Sequence, residues 1–170
     1  MSAHPPTQPE PQPDAHGRWP DLAGRIVADA SGRRRHVLPI RVYFEDTDFS
    51  GLVYHASYVR WCERGRSDFL RLIGSDHKAL MEGAAGREPA AFVVRRMALE
   101  FLKPAHIDDV LEVVTRVKET TAATLLLDQR IGRDGVELFT AEVTVVLVSR
   151  SGKPLRLTAA LREALREQPG

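Results

Sequence analysis

Cysteine is almost missing from this chain: Cys62 is the one thiol in 170 residues. No disulfide can form within the chain, and nothing points to an oxidising compartment. An excess of charge of one sign is also missing. Lys and Arg number 24 and Asp and Glu 23, a net charge of +1, which gives no basis for nucleic-acid binding. The run Arg33-Arg34-Arg35 reads as a solvated segment. No uninterrupted apolar stretch approaches the ~20 residues that cross a bilayer, and the N-terminus lacks the apolar core of a secretory signal. The expected location is the cytoplasm. Three chemistries lack their signatures as well. There is no Gly-rich phosphate cradle, no nucleophile elbow around Ser67, and no His/Cys/Asp/Glu set at metal-ligand spacing. Neither a metal nor a cofactor is expected.

What is present begins with proline. Six of the eleven prolines fall at positions 5, 6, 9, 11, 13 and 20, where they forbid sheet and helix interiors. Residues 1–35 therefore read as a disordered extension whose removal should cost little stability. Residues 36–157 read as one folded domain, and 158–170 as a short terminal helix and tail carrying Leu161 and Leu165.

Within the domain, Leu38, Ile40, Val42 and Phe44 alternate with Pro39, Arg41 and Tyr43, a strand pattern. Pro39 has no donor for a ladder and belongs at a strand start or an edge. From His55 the period becomes helical: Tyr58, Trp61, Cys62, Gly65, Phe69, Leu72 and Ile73 form one stripe, which Gly74 stops. Gly65 within it implies close approach to a sheet. A weak second helix is expected near Asp76–Glu82. After Pro89 four strand patterns follow. Val93, Met97, Leu99 and Phe101 share a face of the first; Leu111, Val113, Thr115 and Val117 of the second. Leu125, Leu127 and Ile131 mark the third, and Phe139, Ala141, Val143, Val145 and Leu147 the fourth. Gly132-Arg133-Asp134-Gly135 has the chemistry of a tight hairpin. One helix must then serve a whole sheet. The expected architecture is α+β, a curved antiparallel sheet of about five strands wrapped around one long helix.

Chemistry concentrates between the first strand and that helix. Residues 43–58 hold Asp46, Asp48, Gly51, Tyr54, His55 and Tyr58. A carboxylate in a loop entering a helix, beside the exposed N–H groups of the first turn, suits attack on a carbonyl whose oxygen becomes anionic. Asp48 is the first candidate, either as base or as nucleophile; the alternative is a helix-capping or turn aspartate. Asp46 and Thr47 shape the loop. His55 offers its backbone N–H to a carbonyl oxygen or its ring to substrate or water. Gly51 supplies a backbone conformation that side chains resist. Cys62, on the stripe, is a small core residue.

The same residues resemble the YbgC-type acyl-CoA thioesterases, relatives of 4-hydroxybenzoyl-CoA thioesterase with the hotdog fold. Tyr43, Asp46, Asp48, Gly51, Val53, Tyr54, His55, Tyr58, Glu63 and Arg66 match that family's pattern. The resemblance implies a catalytic carboxylate at Asp48, with His55 beside it and substrate contacts from Gly51, Val53, Tyr54, Tyr58 and Glu63. Glu63 is also the second candidate for the carboxylate, because some related hotdog enzymes use a helix glutamate; its other reading is an i,i+3 partner for Arg66.

The resemblance further implies hydrolysis of an acyl-CoA, or of an acyl carrier protein thioester, by a homodimer or homotetramer whose acyl tunnel lies at the subunit boundary. It also raises a link to the Tol-Pal envelope machinery. Arg95, Arg96, Lys103, Arg150 and Lys153 are candidates for the coenzyme A phosphates, each equally readable as a surface charge. Two rivals stand beside this reading: a hotdog hydratase or dehydratase, and a non-enzymatic binder of acyl carriers or envelope partners.

Overall fold

A computed structural model describes residues 23–28, 32–75, 77–83 and 88–166. The elements are β1 (Arg25–Ala28), β2 (Arg34–Arg41), a single 3₁₀ turn (Phe44–Asp46), α1 (His55–Leu72), α2 (His77–Glu82), β3 (Ala90–Phe101), β4 (Val110–Thr120), β5 (Thr124–Arg133), β6 (Val136–Ser149) and α3 (Ala159–Arg166). The strands form one antiparallel sheet in the order β1-β2-β4-β5-β6-β3, and α1 packs across it.

The inward alternation is the one the sequence predicts on three strands. Leu111, Val113 and Thr115 of β4, Leu125, Leu127 and Ile131 of β5, and Phe139, Ala141, Val143 and Val145 of β6 are all buried. They receive Tyr58, Trp61, Cys62 and Phe69 of α1. A Cβ at Gly65 would sit 3.0 Å from Val113 Cγ1 and 3.2 Å from Thr115 Oγ1, so glycine lets the helix backbone come down onto β4. The buried stripe takes in Arg66 and Leu70 rather than Leu72, which is exposed. Gly74, at φ +83°, ends the helix. The β5–β6 turn uses Asp134 at φ 52° and Gly135 at φ 77°, the left-handed pair that a two-residue hairpin requires.

Two expectations change. The sheet has six strands, because Arg25–Ala28, inside the segment read as an extension, pairs with β2. That pairing covers main-chain groups of β2 and seats Gly24 against His36 and Asp68; the prolines at positions 5–20 lie outside the described residues. Pro39 falls within β2 on an edge, as expected: among the described residues the β1 ladder reaches only to Val37. On β3, Val93 does not share the face of Met97. The register slips between Val94 and Arg96, opposing Val94 to Val145 and Met97 to Val143, so a bulge at Arg95 puts Val94, not Val93, on the face of Met97, although Val94 remains exposed.

The sheet therefore has two distinct ends. At one lie the start of α1, the end of β3 and the 3₁₀ turn. At the other lie the end of α1, the start of β3, the end of β6 and α3.

Candidate active site

The segment between β2 and α1 is held by its own main chain. Asp48 N–H donates to Leu52 O at 3.0 Å, and Gly51 N–H to Asp48 O at 3.0 Å. Gly51 takes φ +78° with open space where a Cβ would point, so the backbone conformation alone calls for glycine. Val53 N–H bonds Ala105 O, and Leu52 bridges to His106, fastening the loop to the β3–β4 connection.

Asp46 is the anchor. Its buried carboxylate accepts Tyr43 N–H at 3.0 Å, and its carbonyl accepts Tyr54 N–H at 2.8 Å and Ser57 Oγ–H at 3.3 Å. Thr47 Oγ1 donates to Phe44 O at 2.8 Å. Both residues shape the loop as expected.

Asp48 is exposed. Its Oδ1 accepts the Ser50 hydroxyl at 2.5 Å and the Ser50 N–H at 2.8 Å. These bonds hold its carboxyl below the usual carboxylate range, Ser50 hydroxyl first, with His55 adding to the effect. Asp48 caps no helix: the N-cap of α1 is Tyr54, without a side-chain cap. The first N–H groups of a helix lack intrahelical acceptors, and among the described residues none is supplied to His55 or Ala56. The His55 ring packs on Tyr54, centroids 4.3 Å apart, and edge-on to Phe101 of β3 at 6.5 Å.

The remaining candidates separate. Tyr54 is half-exposed at the helix start, while Val53 and Tyr58 are buried. Tyr58 stacks on Phe139, and its oxygen accepts Ala105 N–H at 3.0 Å; burial pushes its pKa up, partly offset by that bond. Its visible work is to hold the 104–106 connection beneath the loop.

Glu63 is exposed and accepts the Ser67 hydroxyl at 2.7 Å. The pairing of Glu63 with Arg66 is not formed. Arg66 turns into the core, where Nη1 donates to Gln129 Oε1 at 2.8 Å, and Gln129 Nε2 donates to Cys62 O and Thr115 Oγ1, each at 2.9 Å. Burial pushes the Cys62 thiol up to about 12, which leaves it inert. The candidate phosphate ligands are exposed but scattered: Lys103 just past β3, Arg95 and Arg96 in its middle, Arg150 and Lys153 beyond β6.

Sequence reasoning missed Ser50 as the partner of Asp48, although an Asp-x-Ser spacing is a turn signal. It also missed the exposed Phe44 and Phe49, at 82% and 106% of full exposure, which nothing in a one-dimensional pattern separates from core residues.

A family profile of the Thioesterase-like superfamily matches residues 42–168. The acyl-CoA thioester hydrolase YbgC of Escherichia coli O6:H1 is 45% identical over 111 residues, 65% of this chain and 79% of that protein. Among solved structures, the probable thioesterase of Bartonella henselae superposes with a TM-score of 0.70 at 44% identity, covering 73% of this chain and 99% of that one. A Thermus thermophilus thioesterase complexed with coenzyme A and Zn superposes with a TM-score of 0.66 at 26% identity, covering 78% and 92%. The site residues matched in sequence, the sheet wrapped on one helix and these likenesses agree: the chain belongs to the Thioesterase-like superfamily, as a YbgC-type thioester hydrolase with the hotdog fold.

Proposed function

We propose that this protein hydrolyses acyl-CoA thioesters to a free acid and coenzyme A at the loop of residues 46–55. The observation that carries the reading is Asp48, held ionised by Ser50 next to the side-chain-uncapped start of α1. Asp48 takes a proton from water, whose oxygen adds to the thioester carbonyl carbon. The carbonyl oxygen becomes an oxyanion and accepts the His55 N–H. Collapse breaks the C–S bond, and the coenzyme A thiolate leaves and takes up a proton. In the nucleophilic variant the carboxylate itself attacks, and water then cleaves the mixed anhydride. A positioned base contributes ~10²–10⁴-fold and an oxyanion donor ~10²–10³-fold.

The active unit is a dimer joined along β3. The outer side of this 12-residue strand is an open edge among the described residues. Val93, Val94, Leu99 and Phe101 on it, with Leu102, are between 40% and 48% exposed. A long apolar edge is a pairing surface, and two identical edges close as an antiparallel two-fold pair. The test is free-thiol release from a panel of acyl-CoAs, with the mass in solution measured alongside. Thiol release by a dimer or larger assembly is expected. Change in enoyl absorbance without thiol release would assign the protein to the hydratases.

A further inference from the structure

One buried histidine lies outside the catalytic loop and takes no part in its chemistry. His36 of β2 is 0% exposed, and its Nε2 stands 2.8 Å from Asp68 Oδ2 of α1. An ionised carboxylate only accepts, so the neutral ring carries its proton on Nε2. Nδ1 is then an acceptor, and it is buried with no hydrogen-bond partner among the described residues. Phe69 of α1 packs against the ring, centroids 5.9 Å apart. In the sheet His36 sits between Thr115 of β4 and Ile26 of β1. Just before β1, a Cβ on Gly24 would lie 2.5 Å from His36 Nε2 and 1.7 Å from Asp68 Oδ2. The main chain entering β1 is thus a lid over the pair, and only glycine lets it come so close.

The charged groups around the ring are few. On α1 they are Asp68 and, on its other oxygen, Arg71 at 3.1 Å. Along β2 the exposed Arg34 shares the face of His36. β1 and β4 present Ile26 and Thr115 there, without charge. A second ring proton goes onto Nδ1 and turns an orphan acceptor into an orphan donor on a buried cation. That state is costly unless water reaches it. Burial accordingly lowers the pKa and outweighs the opposing pull of Asp68. The element that yields most readily is β1, four residues paired along one side only.

We propose that His36, Asp68 and the Gly24 lid form a proton-operated latch: protonation of His36 lifts β1 off β2 while the rest of the sheet stays folded. The lifted state bares the β2 edge from Arg34 to Val37, main-chain groups that another strand can pair. The Asp48 loop is fastened to Ala105 and His106 instead. The latch therefore governs this edge and not the chemistry.

The experiment is hydrogen exchange of the full chain from about pH 7.5 to about pH 5, spanning the ordinary histidine range, with rates corrected for intrinsic pH dependence. Protection at residues 25–28 and 34–37 should lie below that at residues 139–145 throughout. Below ~6.5 it should fall by up to about tenfold per pH unit, because the open state binds a proton that the closed state does not. His36→Gln offers Asp68 a donor but cannot take up the proton, and should abolish that slope. Gly24→Ala serves if His36→Gln does not fold. With the lid held off, protection at residues 25–28 should be low at neutral pH and flat on acidification. Equal protection at residues 25–28 and 139–145 in the wild type overturns the inference. So does a slope that survives in folded His36→Gln or Gly24→Ala.

Discussion

The Ser50 hydroxyl and the Ser50 N–H converge on one oxygen of Asp48, at 2.5 and 2.8 Å. Both bonds favour the ionised carboxylate, and its pKa is lowered chiefly by the hydroxyl. A base active only when ionised loses activity as pH falls through its lowered pKa. Ser50→Ala removes the larger cause. The acid limb of the kcat/KM profile should move to higher pH, while the rate at neutral pH falls little. A profile identical to wild type would detach Asp48 ionisation from the rate.

Gly51 and Gly65 should fail for different reasons. Gly51→Ala meets no atoms but must hold φ +78°, at a cost of about 1–2 kcal/mol, and should show mostly as lost turnover. Gly65→Ala forces a Cβ to 3.0 Å from Val113 Cγ1 and should cost about 1–3 kcal/mol of stability through overpacking. Thermal melts and kinetics on both variants check the contrast.

Helix and sheet patterns, the α1 stripe, the β5–β6 turn and the placing of Asp48 before α1 were legible because each follows a local period or a residue-specific conformational need. Pairings made at long range were not. Arg66 has a charge that reads as surface, yet Gln129, 63 positions away, draws it inward. β1 is only four residues after a proline-rich stretch and becomes a strand because β2 offers it an edge. The bulge at Arg95 breaks the alternation that placed Val93 inward.

Stability should depend on β1 and on the group it covers. His36 is buried, with Nε2 2.8 Å from Asp68 Oδ2. Burial lowers its pKa more than Asp68 raises it. The folded state thus binds the proton less readily than the unfolded chain, where histidine titrates near ~6.5. The stability from this group is complete above that pH and lost as pH falls below it toward the folded pKa. The melting temperature should drop on acidification below ~6.5, and less so in His36→Gln. An equal drop in both would exclude His36 as the cause.

Deleting residues 1–28 removes β1 and uncovers His36 and Asp68. A loss of roughly 4–8 °C in melting temperature corresponds to ~1 kcal/mol in a small domain, and a loss at least that large is expected. An unchanged melt would show that β1 adds nothing to the sheet.

The most direct measurement is thiol release by Asp48→Asn. The amide keeps the shape of the side chain but can neither take the proton nor attack. Turnover of an acyl-CoA should fall by ~100-fold or more, with an unchanged melt and dimer mass, while Glu63→Gln keeps most of its activity. Near-normal turnover by a folded Asp48→Asn, with the loss appearing in Glu63→Gln instead, would contradict the account and move the catalytic carboxylate onto α1.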